Sequence, residues 1–319
     1  MAALKRPGGE LANRPLHFFW IVDCSGSMYG EKIGTVNHAI GKSVQGASHK
    51  HVDKECQDNN KFLILDDGTC IMAVADGHGS DSCPYSKTGS QTAVNVFCKV
   101  LNEYRDNFLE HTDQLMTFLN REGDTKVAQT ICNEWKNRIL RIHRMLKRDF
   151  PVDENGEKDE KAVLRQYGTT LIGLMICDEF LFAFQIGDGD IVHVDDNSVE
   201  PLIQGEHILG IETHSLSRDK AWEKAFTVVR RIDTIQYPCA FMLSTDGFAN
   251  SYPTAEAFQN ACGEYYQMLK EHGPEAIQAN LDDWLDETSR LGCGDDITWL
   301  CTLLEESEED KDDINVGDE

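Results

Sequence analysis

The sequence predicts an α+β fold in which a central antiparallel β-sandwich is flanked by helices. Two observations indicate this class. The predicted elements run as strands, two helices, more strands, two helices and a last strand, which is not the regular alternation of a parallel α/β fold. Several apolar runs, such as residues 171–177, are continuous rather than alternating. Continuous apolar strands are typical of sheets that are covered on both faces.

The elements fall into three predicted segments. Residues 1–42 should hold a polar arm, a buried strand over 16–23 and a short helix over 31–41, and together they form an N-terminal strand–helix stub. Residues 43–304 should form the sandwich domain, and the acidic composition of residues 305–319 predicts a disordered tail. Strand-like runs lie at residues 42–48, 61–68, 70–77, 168–177, 180–196, 225–232, 239–247 and 296–304. Apolar residues at helical spacing lie within 93–108, 127–146, 258–269 and 277–288.

Composition excludes several classes of protein. The chain carries 55 acidic and 30 basic residues, a formal net charge of −25, which argues against binding nucleic acid through a broad basic face. Its 11 Cys form no C-x-x-C pair, and scattered free thiols fit a reducing, cytoplasmic compartment. The apolar run after Leu16 is about a third of a membrane span and lacks a cleavage site, so it predicts neither an anchor nor a signal peptide.

Acidic residues stand at strand ends or tight turns in five places. They are Asp58 in ECQDN, Asp76 in VADGHG, Asp188 and Asp190 in QIGDGDI, Asp246 in LSTDGF, and Asp295 and Asp296 in GCGDDIT. Any one Asp-Gly is commonly just a turn, and IGDGDI between two apolar runs suits a hairpin turn. Several carboxylates beside core strands, however, are costly unless they are protonated, paired or metal-bound. With few nearby Lys or Arg, a divalent metal is the simplest solution, and all-oxygen ligation favours Mg²⁺ or Mn²⁺.

Six motifs, in this order and approximate spacing, resemble those of the protein phosphatase 2C family of metal-dependent serine/threonine phosphatases. They are QD at 57–58, ADGHG at 75–79, GTTL at 168–171, GDGD at 187–190, STDG at 244–247 and GDDIT at 294–298. The pattern is most similar to the compact bacterial type that is associated with TerY-like proteins, and it covers about residues 43–304. The resemblance implies a β-sandwich with a metal site at one end, and a hydrolase with a role in signalling or stress response.

The resemblance also implies a site for two Mn²⁺ or Mg²⁺ ions. Asp76 would bridge both ions, and the Gly77 carbonyl would bind one of them. Asp246 and Asp295 would complete the ligands of the other ion, and Asp58 would hold a water close by. Two ions about 3.5–4 Å apart can share and acidify a water and clamp phosphate oxygens, so that no covalent protein nucleophile is needed.

Two further residues take roles from the resemblance. Asp188, with Asp246, would suit the third ion that many members bind. His78 matches the proposed general acid of the family, and the alternative is that it is only a polar turn residue. Asp295 is preferred to Asp296 because it aligns with the Asp of the family's Asp-Asn pair.

The sequence departs from the family pattern at two points. The family usually has an Arg shortly before the first Asp, where it grips the substrate phosphate, but residues 49–58 contain none. Lys54 is the nearest substitute and offers a point charge rather than a bidentate fork, unless it is only a solvated surface residue. After Gly187 the chain has Asp-Gly-Asp where the family often has Asp-Ser-Arg, which leaves the third-ion site less well defined.

The N-terminal residues 14–41 resemble the start of a TerY-like von Willebrand factor A domain. Asp23, Ser25 and Ser27 would be the first ligands of its metal site, but a complete domain needs roughly 150–200 residues. We therefore expect an incomplete segment over residues 1–42 whose deletion leaves activity largely intact. The rival interpretation, that the whole chain is one such domain ending in FMLSTDG, leaves ADGHG, GTTL and GDDIT unexplained.

The sequence therefore predicts a cytoplasmic protein serine/threonine phosphatase that acts on phosphoproteins. A Ser/Thr kinase and a full-length von Willebrand factor A protein are the expected partners, with neither nucleic acid nor membrane. The alternative is a weak or inactive phosphatase-fold scaffold that binds such a partner. The nearly complete set of Asp residues favours the enzyme interpretation, whereas the missing Arg leaves the scaffold interpretation as an alternative.

Overall fold

A computed structural model describes residues 6–8, 38–108, 111–203 and 214–305. The strands are β1 (Ala39–Val44), β2 (Asn59–Ile64), β3 (Cys70–Ala75), β4 (Leu171–Ile176), β5 (Phe180–Ile186), β6 (Asp190–Asp195), β7 (Val199–Pro201), β8 (Phe226–Arg231), β9 (Cys239–Ser244) and β10 (Ile297–Leu304). The helices are α1 (Ala47–His51), α2 (Ser86–Asn107), α3 (Thr112–Glu122), α4 (Ala128–Met145), α5 (Glu160–Arg165), α6 (Asp246–Ala249), α7 (Ala255–His272) and α8 (Pro274–Leu291).

The strands form two antiparallel sheets that pack face to face. The first sheet has the order β1-β10-β9-β6-β7 and the second has the order β2-β3-β4-β5-β8. A buried apolar cluster joins the facing sides of the two sheets. Helices α2, α3 and α4 cover the outer face of the second sheet, and α7 and α8 cover that of the first. The predicted α+β sandwich flanked by helices is thus confirmed.

Burial on both faces explains the continuous apolar runs. In β3, Ile71 and Ala73 belong to the cluster under the helices, whereas Met72 and Val74 face the other sheet. Every residue of this strand is buried. Successive side chains of a strand point to opposite faces, so a strand with two covered faces has no position that water would reach.

Helix α2 begins earlier than its apolar periodicity predicts, because its first turn is buried through small residues. A Cβ added at Gly89 would lie 1.9 Å from the Tyr167 carbonyl oxygen. Trp135 Nε1 donates a 2.9 Å hydrogen bond to the Gly89 carbonyl. The close contact requires Gly and gives no apolar signal in the sequence. Helix α3 is a further element that the apolar periodicity of the sequence does not predict.

The GDGD stretch is not a hairpin turn. Strand β5, which precedes it, pairs with β4 and β8, whereas β6, which follows it, pairs with β9 and β7. The stretch therefore carries the chain from one sheet to the other. Gly187 has φ +114°, a backbone conformation that favours Gly, and Gln185 Nε2 donates to the carbonyls of Gly187 and Gly189.

The N-terminal boundary lies earlier than expected. Residues 39–41, expected to end a helix, belong to β1, which pairs with β10 from Ala39 onward. The expected boundary after residue 42 therefore falls inside a strand of the sandwich. The predicted strand over 16–23, most of the predicted helix, and Asp23, Ser25 and Ser27 lie outside the described residues, as does the tail after residue 305. In the described part of the chain, no helix is both long enough and apolar enough to cross a membrane.

Candidate active site

The second sheet brings two of the predicted carboxylates together. The start of β2 pairs with the end of β3. Asp58 directly precedes β2 and Asp76 directly follows β3, so the two residues are neighbours at one end of the sandwich. Asp58 is buried and Asp76 is partly exposed. This end of the sheet is therefore the place where two carboxyl groups meet.

The first sheet delivers three more carboxylates to the same end. The end of β9 lies between the starts of β6 and β10. Asp246 follows β9, Asp188 precedes β6 and Asp295 precedes β10. Asp188 and Asp246 are partly exposed and Asp295 is exposed, so this end of the sandwich is open to solvent, and we call it the carboxylate end.

The carboxyl groups of the two sheets act on one another electrostatically. Burial, with added repulsion from Asp296 and Asp246, raises the pKa of Asp58 to about 8, although hydrogen bonds from Thr245 and Asp76 oppose the rise. Burial and the charges of Asp58, Asp246 and Asp295 raise the pKa of Asp76 well above its usual range. A hydrogen bond between the carboxyls of Asp58 and Asp76 requires a proton on one of them.

Asp246 belongs to the same electrostatic group. Burial raises its pKa to about 7, with further contributions from Asp188 and Asp295. The following residue, Gly247, has no room for a side chain, because a Cβ there would lie 2.0 Å from the Asp296 carbonyl oxygen. The Asp-Gly pair thus lets the start of α6 press against the start of β10.

The GTTL motif fixes the backbone of Asp76. Thr169 Oγ1 and the Thr170 backbone N–H donate to the Asp76 carbonyl at 2.7 and 2.8 Å. The Asp76 N–H donates in turn to Thr170 Oγ1 at 2.9 Å. Gly77 pairs with Thr169 across an isolated bridge, and a Cβ on Gly77 would lie 2.6 Å from the Gln57 carbonyl oxygen. The motif therefore holds the Asp-Gly turn in one conformation.

Asp295 and Asp296 differ sharply in their surroundings. Asp296 is buried, and its oxygens accept from the backbone N–H groups of Gly46 and Gln57 at 2.6 and 2.7 Å. His49 Nδ1 lies 2.8 Å from the same carboxylate, whereas His49 Nε2 lies 3.8 Å from Asp295 Oδ1. Both oxygens of Asp296 are thus engaged by protein donors, whereas the Asp295 carboxylate is exposed.

His78 lies on the turn that begins with Asp76 and Gly77, at the carboxylate end of the sandwich. The backbone N–H of His78 donates to the Gly168 carbonyl at 3.0 Å. A Cβ on Gly168 would lie 2.6 Å from Cδ2 of the imidazole. Burial lowers the pKa of His78, Arg218 lowers it further, and Asp188 raises it. The imidazole therefore lies within the electrostatic range of a predicted metal ligand.

Lys54 reaches the same turn of the chain. Its ammonium donates a hydrogen bond to the carbonyl of Gly79, the residue after His78. Lys54 is partly buried, which does not fit a freely solvated surface side chain. Lys54 therefore contacts the backbone of the turn that carries His78.

Several further residues of the site cannot be identified from any pattern in the sequence. Thr245 Oγ1 donates to Asp58 Oδ2 at 2.6 Å, and His49 lies between two carboxylates. Gln57, part of the QD motif, is buried, and its Oε1 has no hydrogen-bond partner among the described residues. Arg218 influences His78 from a distant part of the chain. Only the fold relates these positions to the carboxylates.

The donor set has the chemistry of a site for a hard divalent cation. In the described part of the chain, no three His, Cys, Asp or Glu side chains already stand at metal-binding spacing. Asp58, Asp76 and Asp246 nevertheless offer oxygen donors, and the main charges acting on them come from other carboxyls. Oxygen donors with uncompensated negative charge are what Mg²⁺ and Mn²⁺ require. These residues therefore fit such an ion.

Solved structures with the same architecture include serine and serine/threonine phosphatases. A bacterial serine phosphatase has 12% identity and a TM-score of 0.54, over 85% of this chain and 98% of its own. The Mycobacterium tuberculosis serine/threonine phosphatase PstP/Ppp has 14% identity and a TM-score of 0.54, over 84% and 98%. PppA of Pseudomonas aeruginosa has 14% identity and a TM-score of 0.52, over 85% and 97%. At these identities the likeness shows the fold alone.

The sequence itself gives a family match. No curated protein matches the chain. The family model for protein phosphatase 2C matches residues 45–286, which include the strand ends that carry Asp58, Asp76, Asp188 and Asp246. Asp295 lies beyond the matched range. Because the match spans well over half of the chain and the sandwich agrees with it, the chain belongs to the protein phosphatase 2C family.

Proposed function

We propose that the chain is a metal-dependent protein serine/threonine phosphatase that hydrolyses phosphoserine and phosphothreonine in phosphoproteins. The observation that carries the proposal is the convergence of Asp58, Asp76 and Asp246, from two different sheets, at one end of the sandwich. Each of these carboxyls has a raised pKa, because burial disfavours its charged form and other carboxyls repel that charge. A divalent cation would relieve that repulsion.

The family resemblance assigns the residues that would hold the ions. Asp76, the Gly77 carbonyl, Asp246 and Asp295 would hold two Mn²⁺ or Mg²⁺ ions, and Asp188 with Asp246 would hold a third. Bound ions supply a water nucleophile of lowered pKa and positive charge against the phosphate oxygens. Rigid strand ends suit carboxylates that must keep such a geometry.

The protein's own groups complete the reaction. Asp58, fixed by Thr245, would orient the attacking water toward phosphorus. As the new P–O bond forms, the bond from phosphorus to the serine or threonine oxygen breaks, and His78 would donate a proton to that departing oxygen. Burial lowers the pKa of His78, and the charge of Asp188 opposes that shift by favouring the protonated imidazole that this role needs.

Lys54 would bind a substrate phosphate oxygen. Its ammonium already lies at the turn that carries His78, where it donates to the Gly79 carbonyl. An ammonium is a point charge without the bidentate geometry of Arg, so its contribution falls mainly on binding. Lys54→Ala should therefore raise KM with little change in kcat, and an unchanged KM would remove this role.

The test is turnover of p-nitrophenyl phosphate and of a phosphothreonine peptide with added Mn²⁺. Asp76→Ala and Asp246→Ala should each lower kcat/KM by at least about 100-fold, because each removes a ligand of the proposed ions. Asp233→Ala is the matched control: this exposed residue follows β8 at the opposite end of the sandwich. Turnover that persists after metal chelation would rule out the two-metal mechanism.

Two observations favour a second candidate, a phosphatase-fold scaffold. Lys54 is held by a backbone carbonyl, and among the described residues no three ligands are preset for a metal. A folded, Mn²⁺-loaded protein without turnover would support the scaffold. In either role, the resemblance of residues 14–41 leads us to propose a TerY-type setting in the cytoplasm, with a Ser/Thr kinase and a von Willebrand factor A protein as partners.

A further inference from the structure

A cluster of four side chains packs around the residue that precedes the GTTL motif. That residue, Tyr167, and His143 of α4 are both fully buried. Arg148 follows α4, and Tyr85 directly precedes α2. The Cζ atom of Arg148 lies 3.5 Å from the centre of the Tyr85 ring, and the centres of the Tyr85 and Tyr167 rings are 5.2 Å apart. We call Tyr85, His143, Arg148 and Tyr167 the Arg148 cluster.

Hydrogen bonds connect three members of the Arg148 cluster. Arg148 Nη1 donates to the Tyr167 hydroxyl oxygen at 2.6 Å, and that oxygen lies 3.0 Å from His143 Nδ1. His143 Nε2 lies 3.2 Å from the Asp149 carbonyl, which can only accept, so we place the imidazole proton on Nε2. The Tyr167 hydroxyl then donates to Nδ1. It accepts on one side and donates on the other, which fixes the position of the Tyr167 side chain.

The backbone beside Tyr167 holds the turn that carries His78. The Gly168 carbonyl accepts from the His78 N–H at 3.0 Å, and the Gln166 carbonyl accepts from the Tyr85 N–H at 2.9 Å. The imidazole of His78 also packs against Gly168, where a Cβ would lie 2.6 Å from its Cδ2 atom. A shift of residues 166–168 would therefore move the imidazole.

The main chain of Tyr167 is held as firmly as its ring. Its carbonyl oxygen packs so closely on α2 that a Cβ at Gly89 would lie 1.9 Å from it. Trp135 Nε1 fixes that part of α2 by donating to the Gly89 carbonyl at 2.9 Å. Residues 166–168 are thus fixed by α2 through the main chain and by the Arg148 cluster through the Tyr167 side chain.

We propose that Tyr167 and Arg148 are positioning residues that hold the His78 imidazole where it can donate a proton to the departing serine or threonine oxygen. This inference rests on the proposed phosphatase function, in which His78 is the general acid. Tyr167 and Arg148 act through Gly168 rather than on the substrate.

The nature of the leaving group decides how much this positioning matters. The oxygen of serine or threonine would depart as a strongly basic alkoxide, so it needs a proton from a well-placed acid. The p-nitrophenolate ion is a weak base and can depart without one. The Arg148 cluster should therefore contribute strongly to turnover of phosphoserine and phosphothreonine and much less to turnover of p-nitrophenyl phosphate.

Tyr167→Phe tests the proposal, because it removes the hydroxyl and keeps the ring. The ratio of kcat for a phosphothreonine peptide to kcat for p-nitrophenyl phosphate should fall roughly tenfold, a part of the roughly 10²- to 10⁴-fold that a general acid contributes. Arg148→Gln should lower the ratio likewise, and it decides the test if Tyr167→Phe fails to fold. Arg144→Gln is the matched control. It removes the same charge at the end of α4, where Arg144 pairs with exposed Glu160, and it should keep the wild-type ratio.

A double-mutant cycle separates positioning from a general loss of structure. In a His78→Ala protein, Tyr167→Phe should lower kcat for the peptide by less than about twofold further, because the group that Tyr167 positions is already absent. Losses that multiply in the double variant would overturn the proposal. So would an equal loss on both substrates in Tyr167→Phe alone.

NMR of the histidine side chains, labelled with ¹⁵N, makes the test independent of turnover. The ring resonances of His78 are identified by their loss in His78→Ala. They should shift or broaden in Tyr167→Phe and Arg148→Gln and stay in place in Arg144→Gln. Such a shift in a protein without turnover would mean that the phosphatase function fails while the positioning of His78 stands. His78 resonances that match the wild type in both cluster variants would overturn the proposal.

Discussion

Thr245 Oγ1 donates a 2.6 Å hydrogen bond to Asp58 Oδ2, which joins the residue after β9 to the residue before β2. Because these strands belong to different sheets, the bond crosses the sandwich at the end where the carboxylates meet. Thr245 Oγ1 also accepts from the Thr298 N–H at 2.9 Å, so its own proton is directed to Asp58. Thr245 therefore fixes the orientation of the Asp58 carboxyl beside the other carboxylates.

Thr245→Val removes this donor and keeps the side-chain shape. The pKa of Asp58 should rise further, because the hydrogen bond from Thr245 is one of the influences that lower it. We expect Mn²⁺ affinity and kcat/KM to fall by roughly 10- to 100-fold, the usual effect of removing a partner of a metal-site residue. Calorimetric Mn²⁺ titration and initial rates with a phosphothreonine peptide measure the two effects.

Thr245→Ser keeps the hydroxyl and should retain most of the activity. Thr117→Val is a surface control on α3, where the hydroxyl donates only to the Asp113 carbonyl. Wild-type Mn²⁺ affinity and rate in Thr245→Val would show that the bond to Asp58 has no part in the site.

Asp295 and Asp296 should respond differently to the same substitution. Asp296→Asn replaces an oxygen that accepts from Gly46, His49 or Gln57 with an amide that cannot accept. We expect a loss of about 1–3 kcal/mol in the free energy of unfolding, since a buried donor is left unsatisfied. Asp295→Asn, at an exposed position, should leave stability nearly unchanged and weaken Mn²⁺ binding. Urea unfolding without metal, followed by Mn²⁺ titration, distinguishes them, and the reverse pattern would mean that Asp296 is the ligand.

The strand ends that carry the carboxylates could be predicted from the sequence, because both faces of the strands are covered. Runs such as those of β3 and β9 are apolar throughout, so the Asp that follows each one marks its end. Asp76 and Asp246 were found in this way. The resemblance then related them to Asp58 and Asp295, which lie far from them in sequence.

The partners of these carboxylates could not be predicted, because tertiary register alone brings them in. Thr245 lies 187 positions from Asp58, and Gly46 lies 250 positions from Asp296. Neither pair shares a local pattern. The crossing from β5 to β6 was missed for a related reason, since a Gly-rich turn between two apolar strands looks the same whether the strands share a sheet or not.

Stability should depend on pH through Asp67 and Arg105. Burial raises the pKa of Asp67, but hydrogen bonds from Arg105 and Thr69 outweigh it and hold the pKa below its usual value. Arg105 Nε donates to Asp67 Oδ2 at 2.9 Å, and Thr69 N–H donates to Oδ1 at 3.0 Å. A carboxyl whose pKa is lowered on folding stabilises the fold above its unfolded pKa, about 3.9, and this contribution is lost as the pH falls through the folded pKa.

The change that tests this linkage is Asp67→Asn. Its deficit in unfolding free energy relative to the wild type should be full near pH 6 and should shrink as the pH falls below about 4. Urea unfolding across that range measures the deficit. Asp113→Asn, a substitution on α3, is the control and should show no comparable trend. A deficit for Asp67→Asn that stays constant with pH would mean that the carboxylate charge does not contribute.

Two N-terminal deletions separate the stub from the sandwich. Removal of residues 1–37 leaves β1 whole but loses Arg6, whose side chain is 6% exposed and which contacts Thr288 and Glu287 of α8. We expect a modest loss of stability, about 1 kcal/mol, with turnover retained.

Removal of residues 1–42 also takes most of β1 and exposes the edge of β10. It frees the segment that leads to Gly46, whose backbone N–H donates to Asp296. That protein should aggregate or lose activity, which revises the expectation from the sequence that residues 1–42 are dispensable. Thermal unfolding and turnover of both deletions give the answer, and loss of turnover in the shorter deletion would make residues 1–37 part of the catalytic domain.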